Sequence, residues 1–194
     1  MAYAKPIQNV IDLLQKLPSI GPKTAEQYAF ALQKLPKQDL KELSLSINAL
    51  INIKKCINCG KAVENILNKQ CEICETIVRK THYLMIIKSE MHLEQVEKTK
   101  KYNGRYFIFK NTEANLKRLI EIIKTNKIKE LILAFDMTPN DEVNIFNLKH
   151  KLKKILGKNL PEITRLGRGL PSGGDLRYAD NLTIESALEH REII

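Results

Sequence analysis

The sequence has no long hydrophobic run. No apolar stretch approaches the ~18 residues that a membrane-spanning helix needs, and the segment from Met1 to Pro6 has none of the apolar character of a secretory signal. We therefore expect a cytoplasmic protein with no membrane partner. In that compartment, cysteines serve more often as metal ligands or reactive thiols than as disulfides. Hydrophobic residues make up 43% of the 194 residues and charged residues 28%, a composition that excludes wholesale disorder.

Several motifs of enzymes are missing as well. Neither GxGxxG nor GxxxxGK[ST] occurs, so the sequence predicts no phosphate loop of these kinds. It has no internal repeat and no low-complexity linker. The four histidines are scattered and adjoin no serine or cysteine in a credible triad: His82, His92, His150 and His190. We expect no catalytic residue among them.

Acidic residues are fewer than basic ones, 22 against 32, and the net charge is +10. Residues 161–194 depart from this excess, with four basic and six acidic residues, and all four bases there are arginine. A surplus of positive charge favours a polyanionic partner, because neutralised phosphates release condensed counterions. The alternative is a lysine-rich composition that does no more than give a solvated surface.

The apolar pattern predicts an α/β protein made of several parts. Helical spacing marks three N-terminal helices, the first with an apolar face of Ile7, Val10, Ile11, Leu14 and Leu17, and the third with Leu43, Ile47, Leu50 and Ile51. Short apolar runs then predict strands at 83–87, 106–109, 131–135 and 163–166, with helices near 90–100, 112–126 and 141–156. Gly157 follows the last helix where a C-terminal cap belongs. Such alternation predicts a small, mainly parallel sheet.

All four cysteines lie in two CxxC pairs, Cys56 with Cys59 and Cys71 with Cys74. Two CxxC turns can supply the four thiolates of a closed tetrahedral zinc site, which leaves no open position for water. We therefore predict a structural Zn²⁺ that holds a segment too short to build a core. The alternatives are four unrelated thiols or a redox pair.

A second motif joins the first two predicted helices, in the segment Leu17-Pro18-Ser19-Ile20-Gly21-Pro22-Lys23-Thr24-Ala25. This is the pattern of a helix–hairpin–helix, in which Gly21 lets the backbone approach a phosphate and the next helix start offers free amides. Lys23 and Thr24 would add side-chain contacts to DNA that do not depend on base sequence. An ordinary turn between two helices is the alternative.

A third motif is rich in glycine and arginine. Half of the eight glycines lie between 167 and 174, beside Arg165, Arg168 and Arg177. Guanidinium groups suit bidentate phosphate contacts, so these arginines are candidate DNA ligands. A subunit-contact loop and a plain surface turn are the alternatives.

Taken together, these motifs resemble the RecR family of bacterial recombination mediators. The helix–hairpin–helix, the four cysteines and the string Ile-Thr-Arg-Leu-Gly-Arg-Gly-Leu-Pro-Ser-Gly-Gly-Asp-Leu-Arg-Tyr-Ala-Asp, at residues 163–180, occur in the family's order along the whole chain. The resemblance implies four segments: a DNA-binding helix–hairpin–helix (1–55), a four-cysteine zinc finger (56–75), a Toprim-like domain (79–175) and a C-terminal helical assembly segment (176–194).

The same resemblance implies function and partners. It implies a nucleoid-associated mediator of DNA repair that acts with RecO, and in some settings RecF, to load RecA on DNA coated by single-strand-binding protein. It also implies a homo-oligomer, either a dimer or a tetrameric ring.

The chain departs from the family pattern at two acidic positions of the Toprim part. Lys88 and His92 stand where a glutamate and an aspartate are expected. The partner-binding acids would then be Glu90, Glu94, Asp136 and Glu142. A magnesium-dependent enzyme needs several carboxylate oxygens around its ion, and Asp136 alone does not supply them.

Three functional hypotheses follow. We favour a non-catalytic module that binds DNA and loads a partner. The alternatives are a Toprim enzyme that cuts or joins DNA with magnesium, and a zinc-stabilised scaffold that binds only protein. The missing carboxylates argue against the enzyme, and Lys23 with the positive charge of residues 1–160 argues against the scaffold.

Overall fold

The computed structural model describes residues 3–64, 70–167 and 169–191. The chain forms two compact units, Met1–Ile53 and Lys54–Ile194. The predicted division into four segments stays a prediction. No helix in the described part of the chain is both long and apolar enough to cross a membrane.

The first unit is helical. It contains α1 (Lys5–Leu14), α2 (Pro22–Gln33) and α3 (Lys37–Ala49), followed by a 3-10 turn. α1 packs on α2 through Ile11, Ala25 and Ala29, and the small alanines let the two backbones approach closely. Leu17, which we expected on the face of α1, lies beyond the end of that helix and is half exposed.

The third helix forms as predicted but buries none of its side chains. Its predicted apolar face is exposed at Leu43 and Ile47, whereas Leu50 and Ile51, expected on the same face, lie beyond the helix in the 3-10 turn and are exposed as well. The helical period in the sequence therefore marks the helix correctly, while a buried face requires a packing partner that this unit does not supply.

The second unit begins with the cysteine segment. β1 (Lys54–Lys55) pairs antiparallel with β2 (Ala62–Val63), and the short helix α4 (Glu72–Glu75) carries the last cysteine. The four strands of the main sheet follow: β3 (Tyr83–Ile87), β4 (Arg105–Ile108), β5 (Glu130–Ala134) and β6 (Glu162–Arg165). Their order is β4-β3-β5-β6, and all three pairs are parallel, as predicted.

Helices α5 (Glu90–Lys98), α6 (Glu113–Thr125) and α7 (Pro139–Leu156) connect these strands. Alternate strand residues point to opposite faces of a sheet, and each face is buried here. One cluster joins Leu84, Ile86 and Phe107 to α6 and α7. The other joins Met85, Ile87 and Ile108 to α5 and the cysteines. Coverage on both faces explains why the strands are almost continuously apolar.

The termini of α7 agree with the sequence. Asp141 and Glu142 lie in its first turn and Lys153 and Lys154 in its last, which complements the helix dipole. Gly157 is the C-terminal cap, with φ of 53°, a left-handed value that glycine adopts without strain. After β6, a 3-10 turn and the terminal helix α8 (Asn181–Glu189) complete the chain. The helical N-terminus, the cysteine cluster, the parallel sheet and the C-terminal helix confirm the predicted fold class.

Candidate metal centre and nucleic-acid interface

The structure brings all four cysteines together. The Sγ atoms of Cys56, Cys59, Cys71 and Cys74 lie within 4.8 Å of one another, and all four residues are buried. Four converging sulfurs with no carboxylate or histidine among them suit a soft, tetrahedral ion. The residues present therefore fit a bound metal ion.

Backbone geometry shapes each half of this cluster. Gly60, directly after Cys59, has φ of +86°, and its amide donates to the carbonyl of Cys56 at 3.0 Å. The Lys61 amide points at Cys59 Sγ and the Cys71 amide at Cys56 Sγ, each at 3.4 Å. Amides aimed at sulfur favour the thiolate form that binds metal.

The thiols crowd one another. Hydrogen bonds from the neighbouring thiols, chiefly Cys56, raise the pKa of Cys59 and of Cys74, and burial raises both further. Four buried sulfurs at this spacing do not all ionise unless a cation compensates their charge. A metal ion would supply that compensation.

Three contacts fasten the first CxxC turn to the sheet. The Ile108 amide donates to the carbonyl of Cys59 at 2.7 Å. Arg118, on α6, donates from Nη2 to the carbonyl of Cys56 at 2.8 Å and also to that of Ile57. Its guanidinium also lies 5.6 Å from the ring centre of Phe107. The cysteine segment is thus tied to the α/β core by residues that sequence reasoning did not single out.

The hairpin motif lies between α1 and α2. Lys23 is exposed in the first turn of α2, and Thr24 beside it is half-buried. The amides of this helix start have no side-chain cap. A side chain added at Gly21 would meet nothing within 4 Å, so the approach to these amides is open.

The left-handed residue of the hairpin is Ser19, with φ of 64°, whereas Gly21 has φ of −82°. The conformation of this chain therefore does not by itself require glycine at 21. Open space for an approaching ligand is the property that Gly21 provides here.

A cluster of charged side chains lies where β3 and β5 end. Lys88 Nζ donates to Asp136 Oδ2 at 2.8 Å and to Asp141 Oδ2 at 2.9 Å. His92 Nε2 lies 3.1 Å from Asp136 Oδ1, and its Nδ1 lies 2.9 Å from Ser89 Oγ. An ammonium group thus occupies the point on which two carboxylates converge.

The electrostatics of this cluster are mutually stabilising. Hydrogen bonds to Asp136 and Asp141 raise the pKa of Lys88, and the hydrogen bond from Lys88 lowers the pKa of both carboxyls. Thr138 Oγ1 also donates to Asp141 Oδ2 at 2.7 Å, while the Asp141 amide donates back to Thr138. This reciprocal pair caps α7.

Asp141 is the member of the cluster that sequence reasoning missed. It is only 2% exposed, and among the residues that the structure describes no other charged residue is buried. The sequence does place a threonine, Thr138, three residues before Asp141 at a helix start. That pattern predicts a helix cap and gives no indication of a distant lysine partner.

The acids predicted to face a partner are already engaged within the chain. Glu90 Oε1 accepts from the Ala62 amide at 2.8 Å, Glu94 pairs with Lys61 at 2.9 Å, and Glu142 pairs with Arg165 at 3.4 Å. Asp136 belongs to the Lys88 cluster. The structure does not bring the four acids together as one unpaired group.

Two of the three predicted C-terminal arginines form ion pairs within the chain. Arg165, at the end of β6, is the partner of Glu142, and Arg177 pairs with Asp175. Arg168 lies outside the described residues.

Comparison with known proteins extends these observations. A family model described as "RecR, helix-hairpin-helix" matches residues 7–51, and one described as "RecR, C-terminal" matches residues 169–192. A recombination protein RecR from Gloeobacter violaceus is 32% identical over 203 residues, covering 99% of this chain and all of the relative. Those of Natranaerobius thermophilus and Staphylococcus aureus are each 32% identical, with 98% of both chains covered.

Proposed function

The chain belongs to the RecR family of recombination proteins, and on that basis we propose that it is a non-catalytic mediator of DNA repair that binds DNA without sequence preference. It would act with RecO, and in some settings RecF, to load RecA. The observation that carries the DNA-binding part is the exposed ammonium of Lys23 at an uncapped helix start.

The proposed DNA contact follows from the chemistry of that helix start. The first amides of a helix lack intrahelical partners and carry the positive end of the helix dipole. The amides of Lys23 and Thr24 therefore suit a phosphate oxygen, and the Lys23 side chain adds charge. Such contacts involve the sugar–phosphate backbone and not base edges. Arg165, Arg168 and Arg177 stay candidates for further contacts.

We propose Zn²⁺ as the ion held by Cys56, Cys59, Cys71 and Cys74. An all-sulfur set offers no open coordination position, so the ion would be structural. When bound, it would neutralise the crowded thiolates and fold the segment between the two CxxC turns. The contacts of Arg118 and Ile108 with the first CxxC turn would then hold the finger against the α/β core.

The absence of catalysis is supported by the Lys88 cluster. A magnesium site of the Toprim kind needs carboxylates that are free to bind the ion, but Asp136 and Asp141 each accept a hydrogen bond from Lys88. The ammonium supplies the positive charge that an ion would supply. This arrangement disfavours the alternative of a magnesium-dependent enzyme that cuts or joins DNA.

Assembly is part of the same proposal. One hairpin makes few phosphate contacts, whereas a dimer or tetrameric ring would present several hairpins and raise their effective concentration. We propose that the chain acts in the cytoplasm, at the nucleoid, as such an oligomer.

Replacing Lys23 tests the proposal. Lys23→Ala is expected to weaken binding to all DNA sequences alike and to lower the slope of log K against log salt by about one for each phosphate that is no longer neutralised. Fluorescence anisotropy with oligonucleotides of unrelated sequence, at several salt concentrations, measures both quantities. Lys34→Ala, an exposed lysine at the other end of α2, is the matched control. Unchanged affinity and slope in Lys23→Ala would place the DNA site elsewhere.

A further inference from the structure

A second basic feature lies in the unit that contains the sheet. It is a pocket of about 350 Å³ at the carboxyl ends of β3 and β4. In parallel α/β sheets, ligands bind in crevices at this edge. Four cations and one carboxylate are among the residues that line the pocket: Lys55, Lys88, Lys110, Arg118 and Glu90.

The charges of this pocket are unevenly compensated. Lys88 is neutralised by Asp136 and Asp141, and Arg118 bonds only to backbone carbonyls. Across residues 3–64, 70–167 and 169–191, no carboxylate forms an ion pair with Lys55 or Lys110. Lys55 and Lys110 line the same pocket, and their like charges repel each other.

The single acid of the pocket does not cancel this charge. Glu90, which accepts a hydrogen bond from the Ala62 amide at 2.8 Å, carries one negative charge against the three positive charges of Lys55, Lys110 and Arg118. The excess of positive charge is therefore concentrated on Lys55, Lys110 and Arg118. Such a concentration is unfavourable until an anion enters.

The backbone adds donors to the same pocket. α5 begins at Glu90 without a side-chain cap, because the Ser89 hydroxyl is bonded to His92 instead. Ser89, Glu90 and Met91 line the pocket. The free backbone amides in the first turn of α5, a helix of nine residues, therefore lie at the wall of the pocket. A helix start beside unpaired cations is a common setting for a phosphate group.

The loop that carries Lys110 is held in place. Asn115 Oδ1 accepts from the Lys110 amide at 2.8 Å, and Asn115 Nδ2 donates to the Ile108 carbonyl at 3.4 Å. Arg118 is held by the carbonyls of Cys56 and Ile57. The Arg118 side chain and the backbone that carries Lys110 are therefore held in place before a ligand binds, which lowers the entropy cost of binding.

From this juxtaposition we infer that Lys55, Lys110, Arg118 and the start of α5 form a binding site for a phosphate group. The phosphate belongs either to the backbone of DNA or to a free nucleoside triphosphate. Met91 and Ile108 supply apolar surface at the pocket for the remainder of such a ligand. The site shares no residue with the hairpin at Lys23.

The test compares a pocket variant with a charge-matched control in the zinc-loaded full chain. The pocket variant is Lys55→Gln with Lys110→Gln. The control is Lys149→Gln with Lys153→Gln, which removes two exposed charges from α7. Each variant is measured by calorimetric titration with ATP, in buffer without added divalent ions, and by anisotropy with a single-stranded oligonucleotide, beside Lys23→Ala.

We expect the pocket variant to bind at least one of the two probes about tenfold more weakly than the control does, as the loss of charge-assisted hydrogen bonds requires. A loss confined to ATP identifies a nucleotide site, and a loss confined to the oligonucleotide identifies a DNA contact. If the pocket variant matches the control for both probes, or if the wild type binds neither, the inference is wrong.

Two further comparisons keep the result interpretable. Lys110→Gln alone leaves Lys55, the neighbour of Cys56, unchanged. This variant should keep its full zinc content and show a smaller loss of affinity for the same probe. Its matching the wild type for both probes would also overturn the inference. A DNA defect in Lys23→Ala but not in the pocket variant assigns the DNA contact to the hairpin alone, and the converse assigns it to the pocket alone.

Discussion

Lys88 illustrates how one residue changes the chemistry of a site. Its ammonium lies between Asp136 and Asp141, at 2.8 and 2.9 Å, at the edge of the sheet where β3 and β5 end. Asp141 is almost fully buried, and a buried carboxylate is costly unless it is paired. Lys88 thus stabilises a charge that would otherwise favour a metal ion or a proton.

Replacing this lysine should destabilise the protein. Lys88→Met is expected to lower the free energy of unfolding by about 1–3 kcal/mol, because it leaves Asp141 without its ionic partner, while the partial exposure of Lys88 limits the effect. Urea denaturation at neutral pH measures the change. Lys117→Met removes an exposed α6 ion pair with Glu113 and should cost far less. Equal effects of the two substitutions would contradict the role of Lys88.

The stability difference between the wild type and Lys88→Met should also depend on pH, and its sign can be worked out. The folded-state pKa values of Asp136 and Asp141 are lowered, so their contribution is present above the unfolded value of about 3.9 and is lost as pH falls through the folded values. The pKa of Lys88 is raised, so its contribution is lost only as pH rises through that value. The stability difference between wild type and Lys88→Met should therefore stay constant near neutrality and shrink in acid.

At the scale of structural elements, the cysteine finger has very little secondary structure of its own. β1 and β2 have two residues each, and α4 has four. Strands and helices this short are not stable alone in water. The segment is held by the cluster of four thiols, by packing against the sheet and α5, and by hydrogen bonds with Arg118, Ile108 and Glu90.

Removing one sulfur should therefore release the metal. Cys71→Ser is expected to lower zinc content from about one ion per chain to near zero and to lower the melting temperature. Elemental analysis and thermal denaturation check both expectations. Glu75→Gln, an exposed change on α4, is the control and should keep its metal. Folded wild-type protein without zinc would disprove the assignment.

At the scale of the whole molecule, the charge distribution and the Lys88 cluster both bear on activity. The net charge of +10 favours a polyanion, but binding DNA does not cleave it. We expect no nuclease, topoisomerase or primase activity with Mg²⁺, because the convergent carboxylates are occupied by Lys88. Incubation of supercoiled DNA with purified protein and Mg²⁺ tests this. Cleavage that disappears in Asp136→Asn would show that the site is catalytic.

The proposed recognition of RecO also belongs to the scale of the whole molecule. Because Glu90, Glu94, Asp136 and Glu142 have partners within the chain, we expect RecO to bind with little dependence on residues 88–92. In a pull-down with purified RecO, Lys88→Glu should retain binding, as should the exposed control Lys117→Glu. Loss of RecO by folded Lys88→Glu alone would mean that this cluster is the contact surface.

Features that depend on neighbouring residues could be predicted from the sequence. The four strands, the helices between them and the glycine cap at 157 follow from residue periods and terminal signals within short windows. The cysteine cluster follows from the spacing of two CxxC pairs. The resemblance to RecR, carried by the order of the motifs, identified the family.

The tertiary structure alone decided which distant residues meet. Lys88 and Asp141 are 53 positions apart, and Arg118 and Cys56 are 62 apart. No local period relates such pairs. They meet because β5 pairs with β3 and not with β4, and because α6 packs beside the cysteine segment through Arg118. The intrachain partners of Glu90, Glu94, Asp136 and Glu142 are of the same kind, because each lies on another element or in another loop of the folded chain. Strand order and side-chain pairing are consequences of the whole packed core, which no short window of sequence contains.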